Sequence, residues 1–74
     1  MTINETAIPK WLTRKLLAAY RNSTSYDGWF PVHDEKANAR LCELFGLTTD
    51  YTEHYIGNAF RVRFCWAIQR WYVG

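Results

Sequence analysis

The sequence predicts a mainly α-helical fold, with one domain over residues 1–74 and three helices, of which the last is long and apolar. Two amphipathic segments with clear helix-end residues and an apolar C-terminal third lead to this prediction. A chain of 74 residues has room for a single core, because two halves would each be too small to fold alone. The alternative is an α+β fold in which two helices precede a C-terminal β-hairpin.

The first helix is expected over residues 9–22. Pro9 suits a first helical turn, because its missing N–H would have no partner there. Apolar side chains recur at helical spacing on one face, and basic side chains occupy the remainder. The apolar stripe consists of Ile8, Leu12, Leu16, Ala19 and Tyr20.

Residues 23–33 are expected to form a connection. Asp27-Gly28 between Tyr26 and Trp29 is a good tight-turn signal, so a small hairpin is expected here. Pro31 would restrict that hairpin to a sheet edge. Such a turn either holds Trp29 near solvent or folds it down as a lid over the core.

The second helix is expected over residues 34–45. Asp34 can accept the free N–H groups of the first turn, and Glu35 adds a favourable charge there. Gly46 stands where a left-handed closing residue is needed. The inner stripe consists of Ala37, Leu41, Leu44 and Phe45.

The last third of the chain is consistent with two structures. Asp50, with Glu53 three residues later, can cap a third helix. The alternation of apolar residues with Arg61 and Arg63 favours a strand instead, with Gly57-Asn58 as a hairpin turn. A strand over residues 59–73 would far exceed the usual five or six residues and would have only short segments to pair with. We therefore expect a helix, which satisfies its own backbone groups.

We expect a cytoplasmic protein with an uneven distribution of charge along the chain. No export signal and no run of about 18 apolar residues is present, so we expect Cys42 and Cys65 to be free thiols. Residues 1–26 carry a net charge of +3, residues 27–53 of −4 and residues 54–74 of +3. Either the acidic middle pairs with the basic ends, or a basic face is offered to an acidic partner.

Neither an enzyme nor a metal site is expected. Cys42, His54, Cys65 and His33 are of zinc-ligand type, but they lack the closely spaced pair with which one turn presents two ligands. A nucleophilic Cys42 would need an imidazole beside it in a cleft, and its position beside Leu41 predicts an inert buried thiol. No glycine-rich phosphate loop is present, so no cofactor and no small-molecule substrate is expected.

DNA binding is the alternative function. Residues 39–58 have the outline of a helix-turn-helix, and a hairpin over residues 59–73 would turn it into a winged helix. However, Asp50 and Glu53 on the reading helix would repel phosphate, and base-reading residues are missing before Asn58.

The aromatic content favours a protein-binding module. Four Trp, five Tyr and four Phe make up 18% of the chain, whereas a domain of this size buries only about 60% of the surface that its unfolded chain exposes. Aromatic and arginine side chains left at the surface are typical of protein interfaces, here with another protein or a second copy of the chain as a dimer. The expected protein-binding residues are Tyr26, Trp29, Arg63, Phe64, Trp66, Arg70, Trp71 and Tyr72.

This expectation fails if the three tryptophans of that set and Tyr72 are all enclosed within one protomer. Small aromatic-rich domains without catalytic residues are also typical of phage-encoded inhibitors of host machinery, which is an analogy of size and composition. The expected function is therefore non-enzymatic binding, with nucleic acid as the less favoured partner.

Overall fold

Two helices cover one side of a five-stranded sheet in the computed structural model, which describes residues 2–47 and 52–74. The sheet is mixed, with strand order β1-β3-β4-β5-β2; β1 is parallel to β3 and the other pairs are antiparallel. The elements are β1 (Thr2–Ile3), a 3-10 helix (Glu5–Ala7), α1 (Lys10–Asn22), β2 (Phe30–Pro31), α2 (Glu35–Phe45), β3 (His54–Ile56), β4 (Phe60–Cys65) and β5 (Arg70–Val73).

Both predicted N-terminal helices are confirmed, and each begins one residue later than predicted. Pro9 is the extended residue immediately before α1. The Asp34 carboxylate caps α2 by accepting the backbone N–H of Ala37 at 2.8 Å. Gly46 follows the last turn of α2 at a φ of 74°, which a glycine adopts without strain.

The long C-terminal helix, and with it the mainly α three-helix fold, was a wrong prediction. Residues 59–73 contain two antiparallel strands, in which Val62 pairs with Val73 and Phe64 with Trp71. Each strand pairs with the other along one side, while β3 pairs with β4 and β2 pairs with β5 along the remaining sides, so the backbone groups of the segment find partners. The expected obstacle to a strand disappears because the segment folds back on itself, and the fold is α+β, as the alternative proposed.

The turn from β4 to β5 explains why the sequence did not reveal the hairpin. It consists of residues 66–69, Trp-Ala-Ile-Gln, and contains none of the usual turn residues Gly, Pro, Asn and Asp. Its left-handed position is occupied by Gln69, at a φ of 53°. A non-glycine residue is uncommon in that region of backbone space, so the sequence signal for a turn is missing here.

The helix-turn-helix outline is also not formed. Asp50 and its neighbours at the start of the predicted third helix lie outside the described residues, but His54–Ile56 form β3 where the reading helix should continue. Gly57, at a φ of 54°, and Asn58 then connect β3 to β4 as the alternative hairpin turn predicted. The motif therefore lacks its second helix in the part of the chain that is described from Thr52 onward.

The inner face of the sheet forms the core with both helices. Alternate residues of the strands point towards α1 and α2, as period-two alternation requires. Leu12, Leu16 and Leu41 of the helices are fully buried against them. The sheet contributes Ile3, Phe30, His54, Ile56, Phe60, Val62, Phe64, Trp71 and Val73.

Asn38 attaches α2 to the sheet through hydrogen bonds that the sequence did not suggest. Its Oδ1 accepts the backbone N–H of Trp71 at 2.7 Å, and its Nδ2 donates to the carbonyl oxygens of Val32 and Asp34. The Trp71 indole N–H donates to the Cys42 Sγ at 3.2 Å. These contacts fix the depth at which α2 lies on β5.

We predict that Asp34→Ala lowers the free energy of unfolding by about 1 kcal/mol at pH 7, the usual effect of losing a helix N-cap. The Ala37 N–H, followed by Lys15 at 3.2 Å, holds the pKa of the Asp34 carboxyl below its ordinary value of 3.8. The stabilisation is therefore present above that value and is lost as the pH falls through the lowered pKa. Urea denaturation should show the difference from wild type narrowing below about pH 4.

Glu35→Ala is the control, because Glu35 is exposed in the same helical turn and provides no cap hydrogen bond. It should change stability by less than about 0.5 kcal/mol. Equal stability of the two variants at pH 7 would contradict the capping role of Asp34.

We also predict that Gln69→Gly leaves stability unchanged or raises it by up to about 1 kcal/mol, because it relieves a left-handed residue. Ala67→Gly, in the same turn but without a positive φ, should lower stability by about 0.5 kcal/mol. In a helix, both substitutions would destabilise by about 1 kcal/mol. Parallel urea titrations of the two variants separate these outcomes by sign.

Candidate functional site

The side of the sheet away from the helices forms a basic and aromatic surface. Strand alternation places on this side the residues that lie between those of the core. We call this surface the outer face and define it by Tyr55, Arg61, Arg63, Arg70 and Tyr72.

The turn at residues 26–29 folds across the outer face. Asp27 and Gly28 have φ values of 52° and 82°, and the backbones of Tyr26 and Trp29 exchange hydrogen bonds of 2.8 and 2.9 Å. Two successive positive φ values are those of the tight hairpin turn that Asp-Gly predicted. Trp29 is only 6% exposed. It is therefore folded down, as one of the two expectations stated, but over the outer face rather than over the core.

Trp29 holds the two central arginines of the outer face. The guanidinium carbons of Arg61 and Arg63 lie 4.3 and 4.7 Å from the Trp29 ring centroid, within the range of cation–π attraction. Gly74 makes room for the ring, since a Cβ atom there would lie 3.1 Å from the Trp29 Cε3 atom. Both arginines are thus held in defined positions before any partner binds.

Tyr72 lies beside this cluster and carries no charge at neutral pH. Its ring centroid is 6.4 Å from that of Tyr26 and 5.8 Å from the guanidinium carbon of Arg63. Burial raises the pKa of the Tyr72 phenol above its ordinary value, and the neighbouring Cys65 thiol raises it further. The phenol therefore stays protonated at neutral pH and adds no charge to the cluster.

The uneven charge of the sequence becomes a basic face in the fold. Residues 54–74 contain three arginines and neither Asp nor Glu, and they supply all of β3, β4 and β5. Some pairing between acidic and basic segments does occur, with Lys15 3.2 Å from Asp34 and Arg61 3.6 Å from Glu53. The central strands nevertheless present only positive charge on the outer face.

The predicted binding residues are divided between the two faces. Arg63, Arg70, Tyr72, Tyr26 and Trp29 lie on or over the outer face. Of the remaining three, Trp71 is a core residue at 1% exposure, and Phe64 is half-buried on the inner side. Trp66, in the turn between β4 and β5, is 41% exposed and packs edge-on against Phe64.

The surplus of aromatic surface is smaller than the composition predicted. Trp29, Trp71 and Tyr72 are enclosed, so Trp66 is the one member of the decisive set that remains exposed. Both faces of the sheet cover rings: Trp71 is buried between the sheet and the helices, and Trp29 lies against the arginines of the outer face. Elsewhere in the described chain, Tyr26 and Tyr55 are the other exposed rings.

Two residues of the outer face were missing from the predicted site, Arg61 and Tyr55. Arg61 and Arg63 alternate with apolar residues, and residues two apart in a strand share a face. This alternation was the sequence signal that could have placed Arg61 beside Arg63 in the site. Because the segment was expected to be helical, the alternation was not used to assign Arg61 to the site.

Cys42 and His54, two residues of catalytic type, both have contacts within the core. The Cys42 Sγ accepts the Trp71 indole N–H, and the buried His54 stacks on Phe45 with ring centroids 4.7 Å apart. Cys42 and Cys65 are free thiols, as predicted. Within residues 2–47 and 52–74, no group of three or more His, Cys, Asp or Glu is placed to hold a metal ion.

A scan against protein-family models found no match, and searches of the curated proteins and of the solved structures found none either. None of the helices in the described part of the chain is long and apolar enough to cross a membrane. A functional proposal must therefore come from the physical properties of the outer face.

We predict that Trp29→Ala lowers the free energy of unfolding by about 3 kcal/mol, because it removes a buried ring and its two cation–π contacts. Trp66→Ala deletes the same side chain from an exposed turn and should cost about 1 kcal/mol or less. Urea denaturation followed by far-UV circular dichroism measures both. Similar losses of stability in the two variants would contradict the packing of the Trp29 ring against Arg61 and Arg63.

Proposed function

We propose that this protein is a non-enzymatic protein-binding module whose outer face docks on an acidic surface of another protein. The observation that carries the proposal is the pair Arg61 and Arg63, both held against Trp29 on strands that contain no acidic residue. Arginine is enriched at interface hot spots because its guanidinium group can bind a carboxylate with two hydrogen bonds.

The fixed position of the arginines favours tight binding. A long side chain that must be ordered on binding loses conformational entropy, at a cost of about 0.5–1.5 kcal/mol. Contact with the Trp29 ring restricts Arg61 and Arg63 beforehand, so less is lost when a partner binds. Arg61 retains an exposed guanidinium and already lies 3.6 Å from the Glu53 carboxylate, a group of the kind that a partner would present.

An acidic protein fits the outer face better than a nucleic acid does. Single-stranded nucleic acids stack their bases on exposed aromatic rings. Beside the arginines, Trp29 and Tyr72 are 6% and 7% exposed and offer little ring surface, which leaves the exposed rings of Tyr26 and Tyr55 for stacking. Double-stranded DNA would need an element for the major groove, and the predicted reading helix is replaced by β3. Oligonucleotides therefore enter the test as a competing outcome.

We place this function in the cytoplasm, as expected from the sequence. Within the class of binding modules, an inhibitor of host machinery encoded by a phage is the specific form that we propose. A domain that covers an acidic surface of its partner blocks whatever else that surface binds. Chain size and composition support this form.

The test measures binding of a fluorescein-labelled acidic peptide, made of Asp, Glu, Ser and Gly, by fluorescence anisotropy at low salt. We predict that the double variant Arg61→Gln and Arg63→Gln weakens the affinity at least tenfold, because it removes both fixed guanidinium groups. Added salt should weaken the wild-type affinity, since the attraction is between charges near the surface.

The matched control is Arg14→Gln with Arg21→Gln, which makes the same change in net charge on the exposed surface of α1. It should change the affinity less than about twofold. An equal loss of affinity in both double variants would show that net charge alone explains the binding. A larger loss of affinity in the control would show that the peptide binds at α1. Tighter binding of a labelled oligonucleotide than of the peptide would overturn the choice of an acidic protein.

A further inference from the structure

A groove runs along one border of the outer face. It lies between the segment that follows α1 and the turn from β4 to β5, and its volume is about 610 Å³. A space of this size is within the range that surrounds a small ligand or a few side chains. Its walls are formed by Asn22, Ser23, Thr24, Tyr26, Pro31, His33, Ile68, Arg70 and Tyr72.

The groove has an apolar part with two exposed side chains. Tyr26 is 63% exposed and Ile68 is 46% exposed, although both are large and hydrophobic. Tyr72 and Pro31, which are buried, also line the groove. An apolar side chain placed between these residues would remove further hydrophobic surface from water.

The groove is basic as well as apolar. None of its lining residues carries a carboxylate, and Arg70 forms part of the wall. The Arg70 guanidinium donates a hydrogen bond to the His33 carbonyl oxygen at 3.2 Å, which fixes its position. Arg70 lies on the same side of the sheet as Arg63, so the groove continues the positive charge of the outer face.

The edge of the sheet at the groove is closed to a further strand. The Ser23 hydroxyl donates to the Pro31 carbonyl oxygen at 2.9 Å, and Pro31 has no backbone N–H to offer. A partner therefore meets side chains here rather than free strand backbone. Recognition in the groove must come from side-chain burial and charge.

We infer that this groove binds one large apolar side chain of the acidic partner, next to a carboxylate that Arg70 binds. The inference rests on the proposed function and adds the motif that it recognises, an aliphatic or aromatic residue adjacent to Asp or Glu. Charge complementarity and continuity with the outer face select this occupant. The outer-face arginines supply attraction to any acidic surface, and the groove selects the segment that carries the apolar residue.

The experiment compares two labelled peptides, the acidic peptide described above and the same peptide with one central Ser replaced by Leu. Wild-type protein should bind the Leu peptide about tenfold more tightly, as expected from burial of one such side chain. Ile68→Ser and Tyr26→Ser should each reduce that preference to about twofold or less. Ile68→Ser should leave the affinity for the peptide without Leu unchanged.

Leu17→Ser is the matched control, because Leu17 is an equally exposed apolar residue at 40% on α1, away from the groove. It should retain the full preference for the Leu peptide. Equal wild-type affinity for both peptides would overturn the groove while leaving the proposed function intact, whereas binding of neither peptide would overturn both. A preference that survives Ile68→Ser and Tyr26→Ser would place the apolar contact elsewhere.

A second copy of the chain is the competing occupant. Sedimentation of wild type and Ile68→Ser over a range of concentrations distinguishes it from a peptide. The groove inference predicts the same monomeric mass for both proteins. A wild-type dimer that Ile68→Ser dissociates would show that the groove binds the chain itself, and would overturn the inference.

Discussion

The antiparallel pairing of β4 with β5 is the constraint on which the rest of the structure depends. Once Val62 pairs with Val73, each of the two strands has a partner along one side within a single hairpin. The hairpin then provides the centre of the sheet, and β2 and β3 pair along its two sides. A segment that looked too apolar for a small helical domain becomes a layer with two faces, one for the helices and one for Trp29 and the arginines.

Period-two alternation separates the side chains of this segment into a core-facing set and an outward-facing set. In β4, Phe60 and Val62 point into the core, while Arg61 and Arg63 between them point outward. The same alternation sends Trp71 inward and Tyr72 outward in β5. Core residues and outer-face residues therefore alternate along the chain, which explains why a single list of aromatic and arginine residues mixed the two groups.

Trp29 is an enclosed ring that supports the outer face. It is only 6% exposed, and its ring lies against the guanidinium groups of Arg61 and Arg63. The tight turn at Asp27 and Gly28 and the bare Cα of Gly74 allow this close approach. The result is a basic surface with a rigid support, bordered on one side by a groove whose exposed apolar residues add a second kind of contact.

The sequence by itself determined the elements whose signals are local. Asp34 and Gly46 marked the ends of α2, and Asp27-Gly28 marked the turn at residues 26–29. The charge of residues 54–74 was consistent either with pairing to the acidic middle of the chain or with a basic surface. The tertiary structure decided the rest, because it depends on pairing between distant residues. Gln69 gives no turn signal, so only the pairing of β4 with β5 reveals the hairpin. That pairing places Phe64 and Trp71 towards the core. It places Arg61 and Tyr72 on the outer face. A local pattern shows that apolar and polar residues alternate, but the burial of each side chain depends on which layer packs against each face of the sheet.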